Sequence, residues 1–109
     1  MDAFERHPDD ELSIQVTVLD RNEQRQSLGG VTDLRMTIYR QSNMIAVVED
    51  DHDGCTIDEH SAETAGNVTY RREPDGILTR GRYLMKFKAT IAGEPISFPE
   101  RGYIPLVIA

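Results

Sequence analysis

The residues best suited to chemistry lie in the acidic run Glu49-Asp50-Asp51-His52-Asp53-Gly54. Oxygen ligands at positions 1, 3 and 5, with glycine at position 6, are how a calcium-binding EF-hand loop begins. Position 12 of such a loop needs a bidentate carboxylate, but His60 stands there, and the flanking sequence has strand patterns. We therefore predict a solvated acidic turn, and leave open whether residues 49–53 bind a divalent ion weakly.

Two histidines and the single cysteine are the other candidate ligands. His52, His60 and Cys55 supply at most three zinc ligands, at a spacing that fits no common zinc site. No helix start adjoins Cys55 to lower its pKa, so we expect an ordinary, partly buried thiol. The sequence also lacks a P-loop, a Gly-x-Ser-x-Gly motif and a dinucleotide-binding turn. We predict a non-enzymatic protein that uses no metal and no cofactor.

Length and charge narrow the functional class further. The 109 residues suffice for one domain, and a net charge of −7 disfavours nucleic-acid binding, which needs a basic surface. No apolar stretch is long enough to cross a membrane, and the first residues do not form a signal peptide. One cysteine excludes an internal disulfide and fits a reducing compartment.

The charge is unevenly distributed along the chain. Residues 1–66 carry 15 acids and five bases, whereas residues 67–109 carry four acids and seven bases. The two parts either neutralise each other in one fold or form an acidic and a basic docking face.

Short segments with two-residue alternation of apolar and polar side chains must position these groups. The alternation, separated by frequent turn signals, predicts six to eight strands within residues 12–19, 31–40, 44–48, 55–57, 67–71, 81–91, 95–99 and 103–109. Two prolines place residues 95–99 at a sheet edge. The side chains predicted to face the core are Ile14, Val16, Leu34, Met36, Ile38, Tyr83, Met85, Phe87, Ile104 and Leu106.

Residues 81–91 form the longest predicted strand and indicate the fold. Gly81-Arg82-Tyr83 follows Asp75-Gly76 at the spacing of a tyrosine corner, in which the tyrosine hydroxyl bonds to backbone just upstream. This corner is typical of immunoglobulin-like domains, and Met85 stands where antibody domains have a cysteine. We predict an all-β, immunoglobulin-like antiparallel β-sandwich over residues 12–109, preceded by a short N-terminal arm at residues 1–11.

Several motifs across residues 12–109 together resemble a family of small immunoglobulin-like structural proteins of tailed bacteriophages. They are Val18-Leu19-Asp20, Ser27-Leu28-Gly29-Gly30-Val31, Gly66-Asn67-Val68-Thr69-Tyr70, Gly81-Arg82-Tyr83, Gly93 and Phe98-Pro99-Glu100-Arg101-Gly102-Tyr103. In this order they are similar to the N-terminal domain of phage baseplate upper proteins and to head decoration or head-fibre domains. The chain departs from that pattern at Arg72 and Glu73, where relatives often carry an aromatic residue.

The resemblance implies a non-enzymatic virion structural protein that is assembled in the host cytoplasm. A capsid decoration protein, which stabilises the head by docking on the major capsid protein in repeated copies, is the first expectation. A baseplate or tail component, docking on baseplate or tail proteins, is the alternative. Neither function requires nucleic acid or a membrane as the partner.

A monomeric module that binds a ligand or a host surface is the alternative from another class. Sugar sites usually use exposed aromatic side chains, but the chain has no tryptophan and commits Tyr83 and Phe87 to the core. Docking on virion proteins is instead expected to use the arm, the acidic loop at residues 49–53 and a basic group. The predicted contact residues are Phe4, Arg6, Glu49, Asp50, Asp51, Asp53, Arg71, Arg72, Arg80 and Arg82.

Overall fold

The computed structural model describes residues 4–19, 22–99 and 101–109. Within these ranges every regular element is a β-strand, as the sequence predicts. The strands are β1 (Phe4–Arg6), β2 (Leu12–Thr17), β3 (Val31–Arg40), β4 (Ala46–Asp51), β5 (Cys55–Ile57), β6 (Asn67–Arg72), β7 (Gly81–Ile91), β8 (Glu94–Phe98) and β9 (Ile104–Ile108).

The strands form two sheets that pack face to face around one core. The large sheet has the order β1-β9-β7-β3-β4, with β8 also paired to β7, and the small sheet has the order β2-β6-β5. This arrangement corresponds to the immunoglobulin sandwich, in which strands B, E and D face the strands G, F, C and C′. The predicted all-β, immunoglobulin-like sandwich is confirmed, and all pairs are antiparallel except β1 with β9.

Strand β7 is the centre of the large sheet. It pairs with β3 along one side, and on the other side with β9 through its first half and β8 through its second half. Tyr83, Met85 and Phe87 are at most 2% exposed, so the predicted register is confirmed. A register shifted by one residue would have turned these three side chains to solvent.

The tyrosine corner is formed as predicted. The hydroxyl of Tyr83 donates a hydrogen bond to the backbone carbonyl oxygen of Thr79 at 2.8 Å, and the ring is buried. The bond fixes the loop that enters β7 against the start of the strand. The side chain therefore contributes both packing and one buried hydrogen bond.

The Tyr83→Phe variant should be less stable by about 1–2 kcal/mol, because the carbonyl of Thr79 loses its partner while the ring stays in place. Urea unfolding followed by circular dichroism measures the change. Tyr103→Phe is the matched control, since the Tyr103 side chain is 38% exposed. Equal midpoints for the Tyr83→Phe variant and the unmodified protein would contradict a stabilising role for this bond.

Two predicted core residues lie only partly inside. Eight of the ten are buried, whereas Val16 and Leu34 are half-buried and pack against the margin of the core. Asp33 has a left-handed backbone with φ 58°, and the β3–β7 register shifts between Thr32 and Arg35. This bulge interrupts the alternation next to Leu34, which a strict two-residue period cannot anticipate.

The apolar run at residues 44–48 was predicted to form a strand buried on both faces, and this is wrong for its first two residues. Met44 and Ile45 are 41% and 58% exposed, and β4 begins only at Ala46. Met44 has φ 57°, and the N–H of Arg40 bonds to the carbonyl of Ile45 across the turn. The tight β3–β4 hairpin therefore places these two apolar residues in the connection.

The described part of the predicted N-terminal arm, residues 4–11, contains an edge strand. Strand β1 pairs in parallel with β9, and Phe4 packs against the core of its own domain. The Arg6 guanidinium lies 5.9 Å from the Phe4 ring and donates a hydrogen bond to the carbonyl of Ser13 at 2.9 Å. Because Ser13 belongs to β2, Arg6 links the large sheet to the small one.

A hydrogen-bonded carboxylate, that of Glu59, connects the loops at one end of the sandwich. Glu59 accepts backbone hydrogen bonds from Leu28 at 2.6 Å and from Gly66 at 2.9 Å. The bonds from Gly66 and then Leu28 hold the pKa of this carboxyl below its usual value, because they favour its charged form. The Glu59 carboxylate thereby joins the loop that contains Leu28 to the loop that contains Gly66.

Candidate docking surface

The outer face of the large sheet carries the most organised group of exposed functional side chains. Leu84, Lys86 and Lys88 alternate with the buried residues of β7 and are half-buried on this face. Leu84 lies between Tyr39 of β3 and Pro105 of β9 in the sheet register. An apolar row therefore adjoins the two lysines on a flat, hydrogen-bonded surface.

Two tyrosines and two lysines on this face contact one another, and we call them the aromatic–lysine cluster: Tyr39, Lys86, Lys88 and Tyr103. The tyrosine rings meet edge to face, with centroids 5.8 Å apart and planes at 79°. The ammonium of Lys86 lies 4.8 Å from the Tyr103 ring centroid, and that of Lys88 lies 5.7 Å from the Tyr39 centroid. Lys88 also donates a hydrogen bond to the Tyr39 hydroxyl at 3.1 Å. These contacts hold the cations in defined positions.

No described carboxylate pairs with the lysines of the cluster. Among residues 4–19, 22–99 and 101–109, every carboxylate in an ion pair bonds to Arg35, His52 or Arg72, and none bonds to Lys86 or Lys88. The protein has a net charge of −7, so the two lysines form a local region of positive charge on an acidic protein. Its charge and its aromatic rings suit an acidic protein surface with some apolar area.

The predicted acidic loop divides between strand β4 and the turn that follows it. Asp51 faces inward, where it accepts a hydrogen bond from the Tyr70 hydroxyl at 2.7 Å and pairs with Arg72 at 3.2 Å. Arg72 also forms an ion pair with Asp75. Burial, followed by the bond to Asp51, raises the pKa of Tyr70. Asp51 and Arg72, both predicted as partner contacts, bond to each other and connect the two sheets.

The remaining acidic residues of the loop are exposed. Asp50 has φ 49° in a β-bulge, donates its N–H to the Thr37 hydroxyl and pairs with Arg35 at 3.5 Å. Glu49 and Asp53 have exposed side chains. The described part of the chain contains no group of three or more His, Cys, Asp or Glu residues placed to hold a metal ion.

The other predicted contacts lie on separate surfaces. Arg82 is exposed on the outer face of the large sheet, next to Val107 in the register, and so extends the docking surface. Arg71 is exposed on β6 of the small sheet, and Arg80 lies in the loop before β7. The ten residues predicted from sequence therefore form no single patch.

No protein-family model matches the sequence, and no curated protein matches it either. The described residues include no helix that could span a membrane.

Sequence analysis missed the aromatic–lysine cluster, although part of the signal was present. Alternation along β7 places Lys86 and Lys88 outward, and Leu84 is an apolar residue at an outward position between them and Arg82. The contribution of Tyr39 and Tyr103 depends on which strands flank β7. Strand order was not encoded in any local pattern that the sequence displays.

An apolar groove of about 570 Å³ opens between the edge of the small sheet and strand β8. Strand β2 ends the small sheet on one side, and β8 pairs only with β7 among the described strands. The groove is lined mainly by the apolar side chains of Val16, Val18, Ile91, Ile96, Phe98 and Ile104. It is large enough for a small ligand.

Cys55 is held in an environment that disfavours its reactive form. Burial, together with the nearby charge of Asp51, raises the pKa of the thiol from 9.0 to about 12, and the thiol donates to the carbonyl of Asp51 at 3.4 Å. The thiol is partly buried, as the sequence predicts.

Between pH 9 and pH 12 the free energy of unfolding should fall, because the Cys55 thiol ionises first in the unfolded chain. Below that window both states hold the proton, and this group adds no pH dependence. Urea unfolding across the window measures the slope, and the Cys55→Ser variant should show a smaller one. Rapid maleimide labelling of the native protein near pH 9 would contradict the raised pKa.

Proposed function

We propose that this protein is a non-enzymatic structural protein that works by docking on other proteins through the outer face of its large sheet. The aromatic–lysine cluster is the observation that carries the proposal. Its rings and cations are held in place before a partner arrives, which lowers the entropy cost of binding. Tyrosine is also among the residues that contribute most at the centres of protein interfaces.

The energetics favour attachment in many copies. Exposed ion pairs contribute only about 0–1 kcal/mol each, so Lys86 and Lys88 alone give weak binding. The apolar row of Leu84 and Pro105 adds area that a partner can cover. Repeated copies on one particle would convert weak single contacts into strong attachment.

The sequence resemblance supports a bacteriophage virion as the setting. In this proposal the protein decorates the capsid, docks on the major capsid protein and stabilises the head, after assembly in the host cytoplasm. Docking on baseplate or tail proteins is the second placement. An immunoglobulin-like sandwich suits either role, because its rigid sheets present a fixed surface.

Reversing the charge of the cluster should abolish docking. We expect the Lys86→Glu/Lys88→Glu variant to be lost from purified particles on sedimentation, whereas the unmodified protein sediments with them and is released as salt rises. The matched control is Arg71→Glu/Arg80→Glu, which makes the same change in net charge on exposed residues elsewhere. Circular dichroism establishes that both variants are folded.

The outcomes separate the possible docking surfaces. If the Arg71→Glu/Arg80→Glu control no longer sediments with particles while the Lys86→Glu/Lys88→Glu variant still does, the docking surface is the basic group predicted from sequence and not the cluster. Sedimentation with tails and not with emptied heads would replace decoration by a baseplate or tail role. Failure of the unmodified protein to bind heads or tails would overturn the virion proposal.

The apolar groove favours a second candidate, a monomeric module for a small apolar ligand. The groove opens to solvent between β2 and β8, and Ile96 and Phe98 are among the side chains that line it. Titration with an apolar fluorescent dye, followed by nuclear magnetic resonance, would then shift the amides of lining residues alone. Shifts spread over the whole molecule, or none, would exclude this function for the groove.

A further inference from the structure

We propose that the aromatic–lysine cluster binds the acidic edge of a second copy of this chain. We call three exposed residues on and beside strand β4 the acidic edge; they are Ile45, Glu49 and Asp53. This inference rests on the proposed function, because it assigns a partner to the same docking face. It also goes further, since it predicts self-assembly in the absence of any other protein.

A dimer whose two-fold axis passes through the cluster is unfavourable. Such an axis would bring Lys86 and Lys88 of one copy against the same lysines of the other. Like charges placed together across an interface cost free energy and reject that partner. The cluster of one copy must therefore face a different and acidic surface of the other copy.

The acidic edge provides that surface. Strand β4 is the last strand of the large sheet, and no other described strand pairs along its outer side. Glu49 and Asp53 are exposed, and neither forms an ion pair among residues 4–19, 22–99 and 101–109. Unpaired carboxylates on one copy complement the unpaired ammonium groups on the next.

Each surface also carries an apolar group that a partner can cover. Ile45, which is 58% exposed, lies in the turn before β4 and precedes Glu49 by four residues, and Leu84 precedes Lys88 by four residues on β7. A contact that pairs Glu49 with Lys88 and covers Ile45 and Leu84 therefore supplies apolar burial together with the ion pair.

A reciprocal contact about a two-fold axis beside the cluster uses both surfaces of each copy and ends at a dimer. A one-way contact leaves one surface free on each copy, and it produces a ring when the rotation closes and an open array when it does not. The net charge of −7 on every copy opposes association at long range, so the contact should be weak in solution. Self-association is then expected only at high local concentration.

Carbodiimide cross-linking tests the contact directly, because it joins a carboxylate to a lysine amine only when the two touch. A concentrated equal mixture of isotope-labelled and unlabelled protein should give mixed-isotope cross-links from Lys86 or Lys88 to Glu49 or Asp53. In the Glu49→Gln/Asp53→Asn variant the yield of mixed-isotope dimers, measured over all sites, should fall about tenfold, the effect of about 1.4 kcal/mol. Asp9→Asn/Asp10→Asn is the matched control, since both side chains are exposed on another surface.

A charge swap then identifies the partners. Neither Lys86→Glu/Lys88→Glu nor Glu49→Lys/Asp53→Lys should associate alone, but a mixture of the two should form dimers in sedimentation velocity. An absence of mixed-isotope cross-links at Lys86 and Lys88, or an unchanged yield in the Glu49→Gln/Asp53→Asn variant, would overturn the inference. Particle binding by that neutralised variant distinguishes this failure from failure of the docking proposal, which concerns Lys86 and Lys88.

Discussion

Replacing Phe87 with alanine is expected to lower the free energy of unfolding by about 3–5 kcal/mol. The Phe87 side chain is fully buried on β7, between Met36 of β3 and Phe98 of β8 in the sheet register. Truncation removes the apolar contacts of the ring and leaves a cavity. The cavity cannot close, because strands β3 and β8 are held by their hydrogen bonds to β7 on either side. Domains of this size have only about 5–15 kcal/mol of stability, so the variant should lose a large part of it.

Denaturant unfolding monitored by circular dichroism measures the loss. Leu84→Ala is the matched control, because Leu84 lies on the same strand but is half-buried on its outer face. We expect that control to retain most of its stability. A Phe87→Ala variant that unfolds at the same denaturant concentration as Leu84→Ala would show that the core does not depend on this side chain.

Gly66→Ala should destabilise the protein by about 2–5 kcal/mol, although it adds only one methyl group. Gly66 has φ +85°, a left-handed conformation that costs other residues about 1–2 kcal/mol. An added Cβ would also lie 2.5 Å from the backbone carbonyl oxygen of Val18, which cannot rotate away. Overpacking of this kind adds about 1–3 kcal/mol.

Gly76→Ala separates the two causes. Gly76 has nearly the same backbone angle, φ +82°, but nothing lies within 4 Å of an added Cβ. Its variant should therefore show the conformational cost alone. The difference in thermal midpoint between the two variants measures the close approach at Gly66, and equal midpoints would contradict it.

The close approach at Gly66 also shows how the loops support the sandwich. The N–H of Val18 bonds to the carbonyl of Gly66 at 2.8 Å, and Glu59 accepts the N–H of Gly66. If the added methyl group displaces Gly66, both hydrogen bonds are disturbed: the one to Val18, just after β2, and the one to the Glu59 carboxylate. We expect its effect to extend to the apolar groove, which Val18 lines, and to leave the aromatic–lysine cluster on the opposite sheet unchanged.

Local sequence patterns determined the fold class and the inner face of the main strands. The alternation along residues 81–91 identified Tyr83, Met85 and Phe87 as core residues, since a strand turns successive side chains to opposite faces. The spacing from Gly81 to Tyr83 predicted the hydroxyl bond that the structure contains. Such features depend on neighbouring residues, so a short stretch of sequence is sufficient to reveal them.

Only the tertiary structure decided which distant charges meet. Asp51 and Arg72 are 21 residues apart, and they pair because β4 and β6 belong to sheets that pack together. The sequence analysis predicted both residues to be exposed partner contacts. A local sequence pattern does not show whether a carboxylate or a guanidinium is exposed to solvent or paired with a distant charge. The bulge at Asp33 likewise depends on the β3–β7 pairing.

The candidate site itself was largely a tertiary result. Sequence alternation could place Lys86 and Lys88 outside, but Tyr39 reaches them from a strand about 50 residues earlier, and Tyr103 comes from the loop before β9. The order β9-β7-β3 brings all four side chains together. Strand order follows from how the whole chain buries its apolar surface, a global property that no single segment of this sequence contains.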